Sequence, residues 1–127
     1  FFGLFEDPIT NVTVDDIVFN IPEGFEYNET MTNLTYLLTD DEFKNNNGDV
    51  KIYSSDTDNI TIMVSDSKEA KISNLYSNGY DSKTVNGQKG AIKYMTDMEY
   101  YMYVFKKDDK LAVVYVTDDA LLEDIIT

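Results

Sequence analysis

The sequence contains no cysteine, histidine, arginine or tryptophan, and it has only two prolines in 127 residues. Without Cys, the chain forms no disulfide or zinc–thiolate site and offers no thiol nucleophile. Without His, it lacks the imidazole base of a Ser–His–Asp triad and the commonest metal ligand. Because these side chains carry much of enzyme chemistry, we expect a protein that is not an enzyme, with no catalytic residues, no metal site and no cofactor.

The charges are unbalanced, since 24 acidic residues stand against ten lysines and the formal net charge is −14. A surface of this sign repels the phosphates of DNA and RNA, and no guanidinium is present for bidentate base contacts. The same repulsion opposes adsorption to anionic lipid. We therefore expect no nucleic-acid partner, and contact with a membrane only through an anchor outside this chain.

The acidic residues are concentrated in the first half of the chain, where no lysine precedes Lys44. Two interpretations remain open. The excess could form an acidic face for a cationic partner or for calcium, or it could be a solvated surface that keeps the protein soluble.

The length is that of one domain, and no linker, repeat or low-complexity tract divides it. We expect a single domain over residues 1–127, in which residues 1–10 are a tail or the remnant of a linker. The first residue is Phe1, not Met, so we also expect a fragment or processed form. Phe1–Phe5 is apolar but far shorter than the roughly 20 residues that span a bilayer.

Short alternating apolar runs separated by turn residues predict the strands. Asp15-Asp16 and Asn86-Gly87 each lie between two such runs, as in tight hairpins. Residues 100–106 and 111–116 are apolar on both faces, which is typical of central strands that are covered on two sides or have one adhesive face. The pattern predicts an α+β fold with a single antiparallel β-sheet of about six to seven strands.

Two amphipathic helices complete this prediction, in the order ββ-ββ-α-βββ-α. Asp66 and Glu69 have the spacing of a capping box, which predicts a helix over residues 67–77. Residues 117–119 would cap a last helix whose buried stripe is Leu121, Leu122, Ile125 and Ile126. Residues 25–49 give no clear pattern, and residues 34–43 fit either a short helix or a strand.

The run Ile17–Phe25 resembles the opening of Mog1/PsbP-like domains, in which a strand is followed by Pro-x-Gly and an aromatic residue. Residues 85–90, the long strand pair and the closing acidic-capped helix resemble the second half of those domains. The chain is also similar in style to small exported proteins of unknown function from methanogenic archaea. The resemblance implies an antiparallel sheet flanked by helices that serves as a binding module or accessory subunit. It carries over no functional residue.

Four Asn-x-Ser/Thr sequons are present, at Asn11, Asn28, Asn33 and Asn59. Such sequons mark N-glycosylation acceptors in exported proteins. They could equally arise by coincidence in a chain rich in Asn and Thr. If they are used, the protein is extracellular or attached to the cell surface; otherwise a cytoplasmic location remains open.

Tyrosines cluster on three neighbouring predicted strands. A sheet face carrying Tyr94, Tyr101, Tyr103 and Tyr115 offers apolar area with polar tips, which suits a peptide or a sugar ring. Tyr100 belongs to the same cluster. Core packing under a helix is the alternative interpretation for all of them.

The oxygen-rich loops at residues 56–59 and 45–49 lack the ligand order of an EF-hand, which leaves weak divalent-ion binding or plain turns as their interpretations. Asp40-Asp41-Glu42 could supply paired carboxylates, although such runs are usually helix starts or loops. Ser67-Lys68 and Ser82-Lys83 lack any supporting catalytic motif.

The sequence therefore favours a non-catalytic, exported or cell-surface domain that binds a protein partner or serves structurally in an envelope assembly. The alternative is a small-molecule or divalent-ion-binding module that uses a Tyr-rich sheet face or the acidic loops.

Overall fold

The computed structural model describes residues 10–127. Residues 1–9 of the expected tail lie outside the described residues. Thr10, the last residue of that expected tail, begins the first strand. The strands are β1 Thr10–Val14, β2 Ile17–Ile21, β3 Glu26–Tyr27, β4 Asp49–Ser54, β5 Asn59–Asp66, β6 Asp81–Val85, β7 Gln88–Met95, β8 Tyr100–Lys107 and β9 Lys110–Val116. The helices are α1 Glu29–Leu38, α2 Asp41–Asn45, α3 Ser73–Tyr76 and α4 Leu122–Ile125, the last preceded by a 3-10 turn at Asp119–Leu121.

These strands form two antiparallel sheets, and not the single sheet that the sequence predicts. The main sheet has seven strands in the order β3-β4-β5-β9-β8-β7-β6, whereas β1 and β2 pair with each other in a sheet of their own. The α+β class and the antiparallel pairing are confirmed, with the helices a minor part. In the first hairpin Val14, Ile17, Phe19 and Ile21 point to one side and are buried against the main sheet, whereas Val18 points to the other side and is exposed.

The predicted hairpin turns are confirmed. Asp15 and Asp16 have φ of 45° and 71°, and Asn86 and Gly87 have φ of 50° and 86°. A type I′ turn requires positive φ at both central residues, and Asp, Asn and Gly tolerate that conformation best. The register is correspondingly tight, with Val85 directly opposite Gln88.

One face of the main sheet, called here the core face, carries Ile62, Val114 and Tyr103 side by side in register. All three are completely buried. The β1–β2 hairpin covers this face, and the ring of Phe19 lies 6.2 Å from that of Phe105. The hydrophobic core therefore lies between the two sheets.

The C-terminal segment closes one side of this core. The predicted stripe is buried at Leu122, Ile125 and Ile126, whereas Leu121 is only partly buried. The helix is shorter than predicted, because the chain enters it through a 3-10 turn and leaves it where Ile126 pairs with Phe19 of β2. That strand-like pairing removes Ile126 from the helix.

The segment that the sequence left ambiguous contains β3, α1 and α2. Asn28 caps α1, and its side chain accepts a hydrogen bond from the Met31 amide at 3.0 Å. The buried Thr32 hydroxyl accepts a hydrogen bond from the Ile52 amide at 2.9 Å. Helix α1 thus satisfies part of the edge of β4 that the two-residue strand β3 leaves uncovered.

The sequence predicts a helix over residues 67–77, but the structure has only the single turn α3 at Ser73–Tyr76. The residue expected to cap it is occupied elsewhere, because Asp66 is the last residue of β5 and accepts hydrogen bonds from Lys110 and Asn47. The Ser67 amide donates to the Asp109 carbonyl at 2.7 Å, which continues strand-like pairing past Asp66.

Lys110 links the two sheets at the turn of the first hairpin. Its Nζ lies 2.6 Å from Asp66 Oδ1 in β5 and 3.1 Å from Asp15 Oδ2 in the β1–β2 turn. The hydrogen bond from Lys110 lowers the pKa of Asp66 below its usual value. The hydrogen bonds to Asp66 and Asp15 raise the pKa of Lys110.

Candidate functional site

The second face of the main sheet, called here the open face, is only partly covered. It carries Thr61 and Met63 of β5, Tyr115 of β9 and Met102 of β8, which are neighbours in register and all half-buried. In a sheet, alternate residues point to opposite faces, so these side chains point away from the core. The sequence leaves two arrangements open for these central strands, and the structure has the one in which a single face is fully covered.

Two segments wall this open face. Helix α1 lies along β4 on one side. On the other side the connection from β5 to β6 crosses the sheet, and its Tyr80 hydroxyl contacts the Met102 sulfur at 3.4 Å. The Tyr76 hydroxyl donates to the Gly90 carbonyl in β7 at 3.1 Å. Between these walls, no helix of residues 10–127 covers the floor formed by β5, β9 and β8.

The uncovered floor is a groove made of two adjoining depressions of about 650 Å³ and 440 Å³. Met98, Tyr100 and Tyr115 line both of them, so the depressions lie next to each other. We call this site the methionine groove. The larger depression is lined by Met31, Thr35, Ile52, Asn59, Thr61, Met63, Met98, Tyr100, Tyr115 and Thr117.

All five methionines of the chain line the methionine groove. Met31, Met63 and Met98 line the larger depression, and Met95 and Met102 join Met98 in the smaller one. Each comes from a different element or turn, so the fold brings them together and sequence proximity does not. Thioether side chains are flexible and polarisable, and they adapt to ligands of different shape.

Tyr100 and Tyr115 form the aromatic part of the groove. Their ring centroids lie 5.0 Å apart in an edge-to-face arrangement at 72°. Burial raises the pKa of both phenols. Both therefore stay protonated at neutral pH and act as neutral hydrogen-bonding groups beside apolar surface.

The four tyrosines predicted as one binding face lie on two faces. Tyr94 and Tyr101 pair across β7 and β8 on the core face, with ring centroids 4.8 Å apart. Tyr103 lies on the same side. Tyr115 is on the open face, and Tyr94, which is 44% exposed, reaches the rim of the smaller depression. Of these four tyrosines, only Tyr115 lines both depressions.

Tyr103 is a core residue. Its side chain is completely buried, and its hydroxyl donates to the Gln88 carbonyl at 2.7 Å. Burial raises its pKa to about 12. Tyr103 therefore presents no surface to a ligand.

Tyr100 lines the groove, whereas the prediction named Tyr101 and Tyr103 of the same strand as binding residues. The alternation of β8 separates Tyr100 and Met102 from Tyr101 and Tyr103 in the sequence. What the sequence does not show is which of the two sides the first hairpin covers.

The four sequon asparagines lie apart from one another. Asn11 in β1 and Asn33 in α1 are exposed. Asn28 is partly buried and uses both ends of its amide, since its nitrogen donates to the Ser54 hydroxyl at 3.1 Å and its oxygen caps α1. Asn59 begins β5 and lines the methionine groove.

The acidic loops are held by internal hydrogen bonds. Asp58 accepts from the hydroxyls of Thr57 and Thr117, and these bonds lower its pKa. Asp40 caps α2 by accepting from the Phe43 amide at 2.8 Å. Within residues 10–127, no group of three or more acidic side chains is placed to hold a metal ion.

None of the helices between residues 10 and 127 has the length and apolar character needed to cross a bilayer. In comparisons with known proteins, no family model, no curated protein and no solved structure matches this chain. The function is therefore inferred from the chemistry of the groove.

Proposed function

We propose that this chain is a non-catalytic domain that binds a protein partner through the methionine groove. The observation that supports it is the convergence of all five methionines at one partly open sheet face of a chain with net charge −14. A strongly charged protein exposes a continuous apolar surface at a cost, so such a surface marks an interaction site. Methionine-rich surfaces repack around different apolar side chains.

The side chains of the groove favour binding over catalysis. The larger depression is lined by thioether, hydroxyl, phenol, amide and alkyl groups, and among residues 10–127 its lining includes no carboxylate and no amine. The charged residues Lys93 and Asp97 line the smaller depression. The phenols of Tyr100 and Tyr115 have raised pKa values. Neutral phenols are weak bases and weak nucleophiles at neutral pH, whereas they suit recognition of a mixed polar and apolar surface.

We place the domain outside the cell or on the cell surface. The exposed positions of Asn11 and Asn33 support this location, because an acceptor asparagine must be reachable by the glycosylation machinery. The resemblance to Mog1/PsbP-like domains supports a binding or accessory role in an envelope assembly. A cytoplasmic location remains the alternative.

A small-molecule ligand is the second candidate function. The larger depression, at about 650 Å³, has the size of pockets that hold small ligands. The edge-to-face pair of Tyr100 and Tyr115 supplies an aromatic surface and two hydroxyls, as a sugar or a small aromatic ligand would require.

A photocrosslinking residue at position 98 tests the protein-binding proposal in cells of the source organism. Met98 lies in the groove and is 64% exposed, and Val18, on the first hairpin, is a control position at 41% exposed. We expect a discrete protein adduct from position 98 that Met31→Gln suppresses, and none from position 18. Equal adducts at both positions would contradict the proposal, and an adduct of small mass would support the alternative.

The location is tested separately, by cell fractionation and intact mass of the native protein. Added sugar mass at any of the four sequons, in an envelope or secreted fraction, would support the surface location. An unmodified chain in the cytoplasm would contradict it, and the sequons would then be coincidental. This result does not depend on whether the groove binds a protein.

A further inference from the structure

We infer that the methionine groove takes a single amphipathic, positively charged α-helix of a partner polypeptide. This inference rests on the proposed function and specifies the shape and charge of the occupant. Three observations carry it: the width of the gap in the helical layer, an apolar seam on α1, and the charge of the turns at one end of the groove.

The gap has the width of one helix. Helix α1 packs along β4, and the connection containing α3 packs on β7 through Tyr76 and Gly90. Four strand intervals separate β4 from β7 in the main sheet. At about 4.8 Å each they span about 19 Å. Neighbouring helices pack about 8–10 Å apart, so a span of about 19 Å suits a single helix.

Helix α1 carries an exposed apolar seam that starts at Met31, which lines the groove. Met31 and Thr35 line the groove, and Met31, Leu34 and Leu38 follow at spacings of three and four residues. At about 100° per residue these positions share one side of the helix, away from the buried Thr32. Leu34 is 49% and Leu38 is 79% exposed, so this side of α1 lacks a partner within residues 10–127. The seam has the spacing of helix–helix packing.

The turns at the groove end of the sheet carry negative charge. Asp56 and Asp58 lie in the β4–β5 turn, and Asp97 and Glu99 lie in the β7–β8 turn beside Met98. Neither turn contains a lysine. Lys93 is the cation that lines the smaller depression, and its Nζ lies over the Tyr80 ring, 5.4 Å from the centroid. Acidic turns at one end of an apolar groove complement a helix with an apolar stripe and Lys or Arg on its flanks.

Binding of a synthetic peptide tests this inference. The probe is a fluorescein-labelled helix of about 18 residues, five turns, with a leucine stripe and lysine flanks. Its matched control replaces every Lys with Glu. We expect fluorescence anisotropy to show binding of the Leu/Lys peptide at about 0.15 M salt, weakening as salt rises, and at least about tenfold weaker binding of the Leu/Glu peptide.

Two pairs of variants separate the groove from the net charge. Met31→Gln with Met98→Gln should weaken binding at least about tenfold, because two apolar contacts are lost. The control Leu37→Gln with Val18→Gln changes two exposed apolar residues outside the groove and should leave peptide binding unchanged. Asp97→Asn with Glu99→Gln should weaken binding and flatten its salt dependence. Asp108→Asn with Asp109→Asn, the same charge change in the β8–β9 turn, should not.

Each contrary outcome has a distinct meaning. Equal binding of both peptides that still requires Met31 and Met98 would overturn the cationic helix and leave the groove as a binding site. Binding that ignores Met31 and Met98 would overturn the groove itself. A dimer in sedimentation equilibrium that Met31→Gln with Met98→Gln dissociates would identify a second copy of this chain as the occupant, and would overturn the partner helix.

Discussion

Gly90 has no room for a side chain. A Cβ at this position would lie 2.6 Å from the Val104 carbonyl oxygen and 2.8 Å from the ring and hydroxyl of Tyr103. The absence of a Cβ at Gly90 leaves room for the Tyr103 side chain beside β7, where its hydroxyl donates to the Gln88 carbonyl. Tyr103, which the sequence suggests as a binding residue, is thus buried in the core because Gly90 on the next strand leaves room for it.

Gly90→Ala is therefore expected to destabilise the protein by about 1–3 kcal/mol, because either the backbone or the Tyr103 ring must move. Urea unfolding measures the change in free energy. Lys89→Ala, at the exposed neighbouring position, is the control and should change stability little. Equal stability of both variants would show that β7 relaxes without cost and that Tyr103 does not depend on Gly90.

At the scale of the elements, α1 depends on β4 for its position. Its apolar residues Leu34, Leu37 and Leu38 are exposed, whereas the residue it buries is the polar Thr32. This pattern is the reverse of an ordinary amphipathic surface helix. The hydrogen bond from the Ile52 amide to the Thr32 hydroxyl explains why a polar residue is on the buried side.

Thr32→Val keeps the volume of the side chain and removes the acceptor, so it should destabilise the protein by about 1–3 kcal/mol through an unsatisfied Ile52 amide. Thr32→Ser keeps the hydroxyl and should cost less, about 0.8 kcal/mol for one buried methyl group. Urea unfolding of the pair ranks them. If Thr32→Val were as stable as wild type, the amide would be solvated and α1 would be held by other contacts.

For the whole molecule, Lys110 links the two sheets, and the pKa shifts around it set a pH window. The pKa of Asp66 is lowered, so its contribution is present above its unfolded pKa of about 3.9 and is lost as pH falls through its folded pKa. The pKa of Lys110 is raised, so its contribution is present below about 10.4 and is lost as pH rises through its folded pKa.

The stability difference between wild type and Asp66→Asn should therefore be constant from about pH 5 to about pH 9 and shrink in stronger acid. Urea midpoints across this range measure it. Lys110→Met should show the same plateau and lose its effect in strong base. Asp108→Asn, exposed in the adjacent turn, is the control. A difference for Asp66→Asn that grows in acid would contradict the assigned direction of the pKa shift.

The strands and hairpins could be predicted because their signals are local. The Asp15-Asp16 and Asn86-Gly87 turns need positive φ, and the alternation of Ile60, Ile62 and Val64 needs only a period of two. Local signals alone could not show that the predicted helix over residues 67–77 is wrong. Its capping signal at Asp66 is genuine locally, but Lys110, distant in sequence, uses the same carboxylate.

By itself the sequence determined the α+β class, the antiparallel pairs and the two-sided apolar character of β8 and β9, because turn chemistry and side-chain period act over a few residues. Only the tertiary structure decided that the first hairpin forms its own sheet, and hence which face of the main sheet is covered. That choice buries Tyr103 and leaves Tyr115 with the five methionines around an open groove. Alternation separates the two faces of a strand, whereas burial depends on which distant segment packs against each face.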